Sequence, residues 1–186
     1  MKLKSGKTNK IVQTALMMGM IMVMTFIIRI PVPATQGYIH LGDCMIFMAV
    51  LMLGWKYGAV AAGVGSAMAD LIGGYAVYAP VTLVVKFLMA AVVGLFIEKA
   101  LKKDRSPGAV MVMEIIGMCI GGSFMVLGYY LAESLMYGSF VTPLASVPMN
   151  IVQFAVGAVI ATALSRALSG TQVGRSFAYD IKGSDK

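Results

Sequence analysis

The sequence predicts an all-α integral membrane protein, a single bundle of six transmembrane helices with both termini cytoplasmic. Three observations carry this. Hydrophobic residues make up 59% of the 186 and charged residues 12%, a balance that a soluble domain of this size has too little interior to hide. The apolar runs are continuous, without the period-two alternation of an outer-membrane barrel. The lysines and arginines fall into four groups that a six-pass chain puts on one side, which the positive-inside rule makes cytoplasmic.

Polar punctuation and Gly/Pro clusters set the spans at 11–30, 41–54, 57–73, 80–98, 108–136 and 147–168. Lys2, Lys4, Lys7 and Lys10 precede the first. That basic segment with its apolar run has the outline of a signal peptide. The run is nevertheless about twenty residues long, and Arg29-Ile30-Pro31-Val32-Pro33 follows it with no small-residue cleavage site, so it is expected to be retained. Lys56 separates the second span from the third, and both are short for a full crossing. Lys99, Lys102, Lys103 and Arg105 separate the fourth from the fifth, and Arg166, Arg175, Lys182 and Lys186 end the sixth. The chain thus divides into a basic cytoplasmic N-terminus over 1–10, a membrane domain over 11–168 and a polar cytoplasmic tail over 169–186. Topology and anionic lipid account for the net charge of +7, which leaves no reason to invoke nucleic acid.

Ionisable groups inside such spans need an explanation, because each costs roughly 2.5–3.5 kcal/mol on insertion scales and so faces a bundle interior or a wet cavity. Asp43, Asp70 and Lys86 interrupt the apolar run from Tyr38 to Phe96. In the predicted topology they share the outer half with Arg29, Gln36, His40, Glu133, Asn150 and Gln153, and with Tyr38, Tyr75, Tyr78, Tyr129, Tyr130 and Tyr137. The tyrosines supply flat amphipathic rings, read either as an interfacial belt or as walls of a pocket. Lys86 either contacts a ligand or forms a structural ion pair with Asp70 or Glu133. Asn150 and Gln153, three apart, share one helix face, and Tyr129 and Glu133, four apart, share another, so both faces can close on one cavity. For Asn150 and Gln153 the plainer reading is a helix–helix hydrogen bond. Glu114 is expected at the cytoplasmic interface. Cys44 and Cys119 are expected to be buried packing residues with no disulfide.

Ala59, Gly63 and Ala67, with Ala61, Gly65 and Ala69 on an adjacent stripe, let the third helix be approached closely from several sides and put it at the bundle centre. On the first helix Ala15 and Gly19 form a small-xxx-small pair, read as internal packing or as a docking face for another membrane subunit. The 17 methionines suit surfaces that repack during motion.

No phosphate-binding G-x-x-x-x-G-K-[ST] run occurs, and the lone His40 excludes an H-E-x-x-H metal site. Ser66 has no plausible base beside it in the sequence and reads as a packing residue. No enzymatic activity, cofactor or metal is expected.

Tyr38-Ile-His-Leu-Gly-Asp43, Gly54-Trp-Lys-Tyr-Gly58, Gly65-Ser-Ala-Met-Ala-Asp-Leu71 and Gly73-Gly-Tyr-Ala-Val-Tyr-Ala-Pro80, together with Lys86, resemble the riboflavin-type S components of energy-coupling factor (ECF) transporters over residues 11–168. The resemblance implies a six-helix, multi-pass subunit of the bacterial plasma membrane that binds a vitamin from outside. It also implies a transmembrane T subunit and two cytoplasmic ATPases as partners, with toppling of the S component to release its vitamin inside. The family's first-helix Ala-x-x-x-Ala stripe, which meets the T subunit, is Ala15-x-x-x-Gly19 here. The implied ligand is riboflavin first, with hydroxymethylpyrimidine and vitamin B6 as alternatives, all planar heterocycles suited to tyrosine stacking. The expected ligand set is Tyr38, His40, Asp43, Asp70, Tyr75, Tyr78, Lys86, Tyr129, Glu133, Asn150 and Gln153. Two other classes stay open: a stand-alone proton-coupled secondary transporter using Asp43, Asp70 or Glu133, and a structural subunit without ligand.

Overall fold

The structure, a computed structural model, describes residues 7–32, 35, 37–100 and 106–172. Lys2, Lys4, Pro33, Gln36, Lys102, Lys103, Arg105, Arg175, Lys182 and Lys186, on which part of the predicted topology rests, lie outside them. Within them the chain runs α1 (Lys7–Ile27), β1 (Arg29–Pro31), β2 (Tyr38–His40), α2 (Gly42–Ile72), α3 (Ala79–Ala100), α4 (Pro107–Tyr137), a short 3-10 turn (Thr142–Ala145) and α5 (Ser146–Leu168). Among the described residues, five helices are long and apolar enough to cross a membrane. Large apolar side chains such as Ile11, Leu16, Val84, Leu127, Leu135 and Val159 are exposed on them, as on a surface whose solvent is lipid rather than water.

The predicted second and third helices are found as two arms of α2. Gly54 interrupts the helix with φ 79° and ψ 175°, a backbone conformation open essentially to glycine. The chain turns back there: a methyl added to Gly58 would stand 2.7 Å from the Cα of Val50, whereas eight residues of unbroken helix would hold those positions about 12 Å apart. Both ends of α2 consequently meet the end of α1. His40, just before α2, lies 3.5 Å from the Thr25 hydroxyl, and the Arg29 guanidinium reaches the Gly73 carbonyl at 3.5 Å just after it.

The end of the first helix differs from expectation. α1 ends at Ile27 because Arg29–Pro31 pairs antiparallel with Tyr38–His40, in register Arg29 with His40. This hairpin lies where the first arm of α2, 42–53, is too short at about 1.5 Å per residue to match its neighbours. α4 keeps its expected span, capped at Ser106, whose hydroxyl accepts from the Ala109 amide with Pro107 in the first turn, and at Gly138 with φ 61°. These are ordinary start and stop signals.

The second arm of α2 is central, as its small residues predict. Gly63 lies against the Leu83 carbonyl and Phe87 of α3, and Gly65 against the Met18 backbone of α1. Ala59, Ala61, Ala62, Ala67 and Ala69 are buried around them. On the other side, α5 approaches α2 at Gly157, where a methyl would stand 2.9 Å from the Asp43 Cβ. Close backbone approach through small residues is how helices associate where lipid removes the hydrophobic drive.

Three expectations are corrected. Cys119 is exposed, because it falls on the outward face of α4, while Cys44 is buried. Glu114 is fully buried rather than interfacial, because Arg166 of α5 reaches across and donates to its Oε2 at 2.5 Å. Lys86 pairs with neither Asp70 nor Glu133, since α2 brings Asp43 closer.

Candidate functional site

The hairpin end of the bundle gathers the polar residues. The opposite end carries Lys10 over the Tyr57 ring, Lys56 beside Trp55, and Lys99 in the last turn of α3. Between hairpin and helices lies a narrow, partly open cavity. Its walls are Val32, Gly37, Tyr38 and His40 from the hairpin, Ser66 and Asp70 from α2, Tyr78 and Thr82 at the start of α3, Tyr129 and Glu133 from α4, and Ser146, Asn150 and Gln153 from α5.

Under this cavity sits the buried ion pair. Lys86 Nζ donates to Asp43 Oδ1 at 2.5 Å, both side chains wholly shielded from solvent. Its other contacts are Met125 Sδ at 2.8 Å and the Tyr129 ring, 5.7 Å to the centroid. Gln153 donates to the second Asp43 oxygen at 2.8 Å and accepts the His40 amide N–H at 2.9 Å. A buried pair is tolerable only when its remaining hydrogen-bonding capacity is filled, and here both carboxylate oxygens are.

That network fixes His40. Its Nδ1 accepts the Gly42 amide N–H at 2.9 Å, so the neutral ring carries its proton on Nε2, leaving a donor for the cavity that His40 lines. Burial, seconded by the Lys86 charge, holds the His40 pKa down at about 3.

Two carboxylates face the cavity. Asp70 accepts from the Tyr38 hydroxyl at 2.7 Å and has Thr82 within hydrogen-bonding reach, while Tyr129 donates to Thr82 at 3.1 Å. Glu133 accepts from Ser146 at 2.5 Å and from Tyr78 at 3.3 Å. Burial, helped by the neighbouring carboxylates, pushes the Tyr38 and Tyr78 hydroxyls above the usual tyrosine range, so both remain protonated donors. At the rim, Arg29 lies over the rings of Phe26, Tyr38 and Tyr75 at 3.9, 4.9 and 5.9 Å, and the Tyr38 and Tyr75 rings are 4.4 Å apart.

Of the residues singled out from sequence, Tyr38, His40, Asp70, Tyr78, Tyr129, Glu133, Asn150 and Gln153 meet on this cavity. The pairs Asn150 with Gln153 and Tyr129 with Glu133 do close on one space. Asp43 and Lys86 lie beneath it, and Tyr75 packs on the outer side of Tyr38. Sequence reasoning missed Ser66, Thr82 and Ser146. Helical spacing held the signal for two of them, since Ser66 lies four before Asp70 and Ser146 four before Asn150.

Ala15 and Gly19 face outward along an apolar groove with Leu16, Met20, Val23 and Met45. A methyl added to Gly19 would meet nothing within 4 Å.

Known proteins match this architecture. Residues 5–170 match the family described as ECF-type riboflavin transporter, S component. An uncharacterised protein of Pyrococcus woesei is 40% identical over 116 residues, 62% of this chain and 72% of that protein. The thiamine precursor transporter HmpT of Lactococcus lactis is 27% identical over 179 residues, covering 95% of this chain and 98% of that one. Among solved structures, the S component of a bacterial ECF transporter superposes with TM-score 0.67 at 20% identity, over 88% of this chain and 97% of that one. The biotin S component of an ECF-type ABC transporter does so with TM-score 0.57 at 18% identity, over 89% and 95%. The chain is therefore a membrane-embedded transporter subunit and not an enzyme, and it belongs to the family of ECF-type riboflavin transporter S components.

Proposed function

We propose that this chain captures a planar heterocyclic vitamin from outside the cell for ATP-driven uptake, with riboflavin the first ligand to test and hydroxymethylpyrimidine and vitamin B6 behind it. The observation that carries the reading is the cavity itself. It is enclosed by helices, walled by the rings of Tyr38, Tyr78 and Tyr129, and supplied with fixed donors and acceptors. Small-molecule sites have this composition: ring surface for contact area and a few oriented polar groups for specificity. The concentration of lysines at the far end supports an outward-facing cavity and cytoplasmic termini. The chain carries no phosphate-binding loop, so energy comes from partners, a transmembrane T subunit and two ATPases, and the Ala15–Gly19 groove is the surface offered to the T subunit.

Mass spectrometry of the small molecule retained by the purified protein tests this directly, and a bound vitamin is the expected result. Proton-dependent uptake by the chain alone in liposomes would instead establish the secondary carrier. Labelling of single cysteines from outside is expected at 139 and 74 and not at 103.

A further inference from the structure

The cavity holds two buried carboxylates and, among the described residues, no cation bonded to either. Asp70 and Glu133 are 5% and 3% exposed, and among the described residues their hydrogen-bond donors are hydroxyls: Tyr38 and Thr82 for the first, Tyr78 and Ser146 for the second. The cations within reach of Asp70 are Lys86 and Arg29. Lys86 is engaged by Asp43, and Arg29 is stacked on ring faces outside the cavity wall. Buried charge in proteins is ordinarily paired.

A second feature points to an absent partner. The Ser66 hydroxyl is buried with nothing to bond, although a helical serine can turn to the carbonyl four residues back. The Asn150 amide, 7% exposed, likewise has no hydrogen-bond partner among the described residues. Both line the same space as the carboxylates. Tyr38, Tyr78 and Tyr129 line the same space, and aromatic rings, like carboxylates, attract positive charge.

We infer that the ligand of this cavity carries a positive charge, held between Asp70 and Glu133 among the tyrosines, with Ser66 and Asn150 completing its hydrogen bonds. This rests on the vitamin-capture reading and reorders its candidates: a vitamin bearing an ammonium or a cationic ring is favoured over the neutral flavin that the family puts first, and any phosphorylated form is disfavoured.

The test compares ligands that differ in charge, by calorimetry on the full-length protein, purified and stripped of bound ligand, at pH 7. Pyridoxamine and pyridoxine share one ring and differ by an ammonium in place of a hydroxyl; thiamine and riboflavin form a second cationic and neutral comparison. The expected result is that a cationic compound binds at least about tenfold more tightly than its neutral counterpart. Glu133→Gln and Asp70→Asn should each weaken binding of the cationic compound more than that of its neutral counterpart, removing most of that preference. The wild-type comparison stands if either variant fails to fold. Equal or tighter binding of the neutral compounds, or a cation preference indifferent to both substitutions, overturns the inference and leaves vitamin capture standing. Failure of all four compounds to bind overturns the inference, and failure of hydroxymethylpyrimidine as well overturns vitamin capture with it.

Discussion

Lys86 and Asp43 form a wholly buried ion pair, 2.5 Å from Nζ to Oδ1, beneath the cavity rather than in its wall. Forty-three positions apart in sequence, they tie α3 to the start of α2, and through Gln153 and His40 they tie both to α5 and the hairpin.

Truncating Lys86 to Ala strands the Asp43 carboxylate, with an expected cost of about 3–5 kcal/mol. The detergent melting temperature should fall clearly, while protein that remains folded keeps its ligand affinity within about twofold. Pairing Lys86→Met with Asp43→Asn should recover much of the loss, because neither substituent needs a counter-ion. A tenfold loss of affinity at unchanged melting temperature would place Lys86 on the ligand instead.

Gly54 turns α2 back with a backbone that side chains avoid. Gly54→Ala should cost about 1–3 kcal/mol of stability, with no change of charge or cavity. Ala at Gly138, which caps a helix with open space around it, should cost about 1 kcal/mol. Equal melting temperatures for Gly54→Ala and the wild type would mean that the turn takes another conformation.

His40 couples stability to pH. Its folded pKa is about 3 against 6.5 unperturbed, so the unfolded chain takes up the proton first as pH falls. The contribution is present in full above pH 6.5 and is lost progressively as pH drops from there toward 3. Lys86, Asp43 and Arg29 are the charges that bear on it. The difference in melting temperature between wild type and His40→Gln should therefore shrink on acidification, and a constant difference from pH 8 to pH 4 would contradict the neutral tautomer.

Ala15→Leu with Gly19→Leu should leave folding and vitamin affinity unchanged, because the face is open. Uptake in cells expressing the T and ATPase subunits should be lost, since bulk prevents close helix approach. Undiminished uptake would remove this groove as the docking surface.

Composition determined the environment, and continuous apolar runs determined helices, because a membrane satisfies backbone groups only within a segment or a closed barrel. The short-range pairs Asn150 with Gln153 and Tyr129 with Glu133 were legible for the same reason: helical geometry makes spacing into direction. Which charge meets which was not legible. The sequence offered Asp70 and Glu133 as partners for Lys86, whereas the reversal at Gly54 and the close approach of Gly157 bring the first arm of α2, and Asp43 with it, beside α3 and α5. Glu114 was likewise an interfacial acid in sequence and a buried partner of Arg166 in three dimensions. Local periodicity fixes which face a residue occupies, but pairing between faces depends on helix packing over distances that no spacing in the sequence encodes.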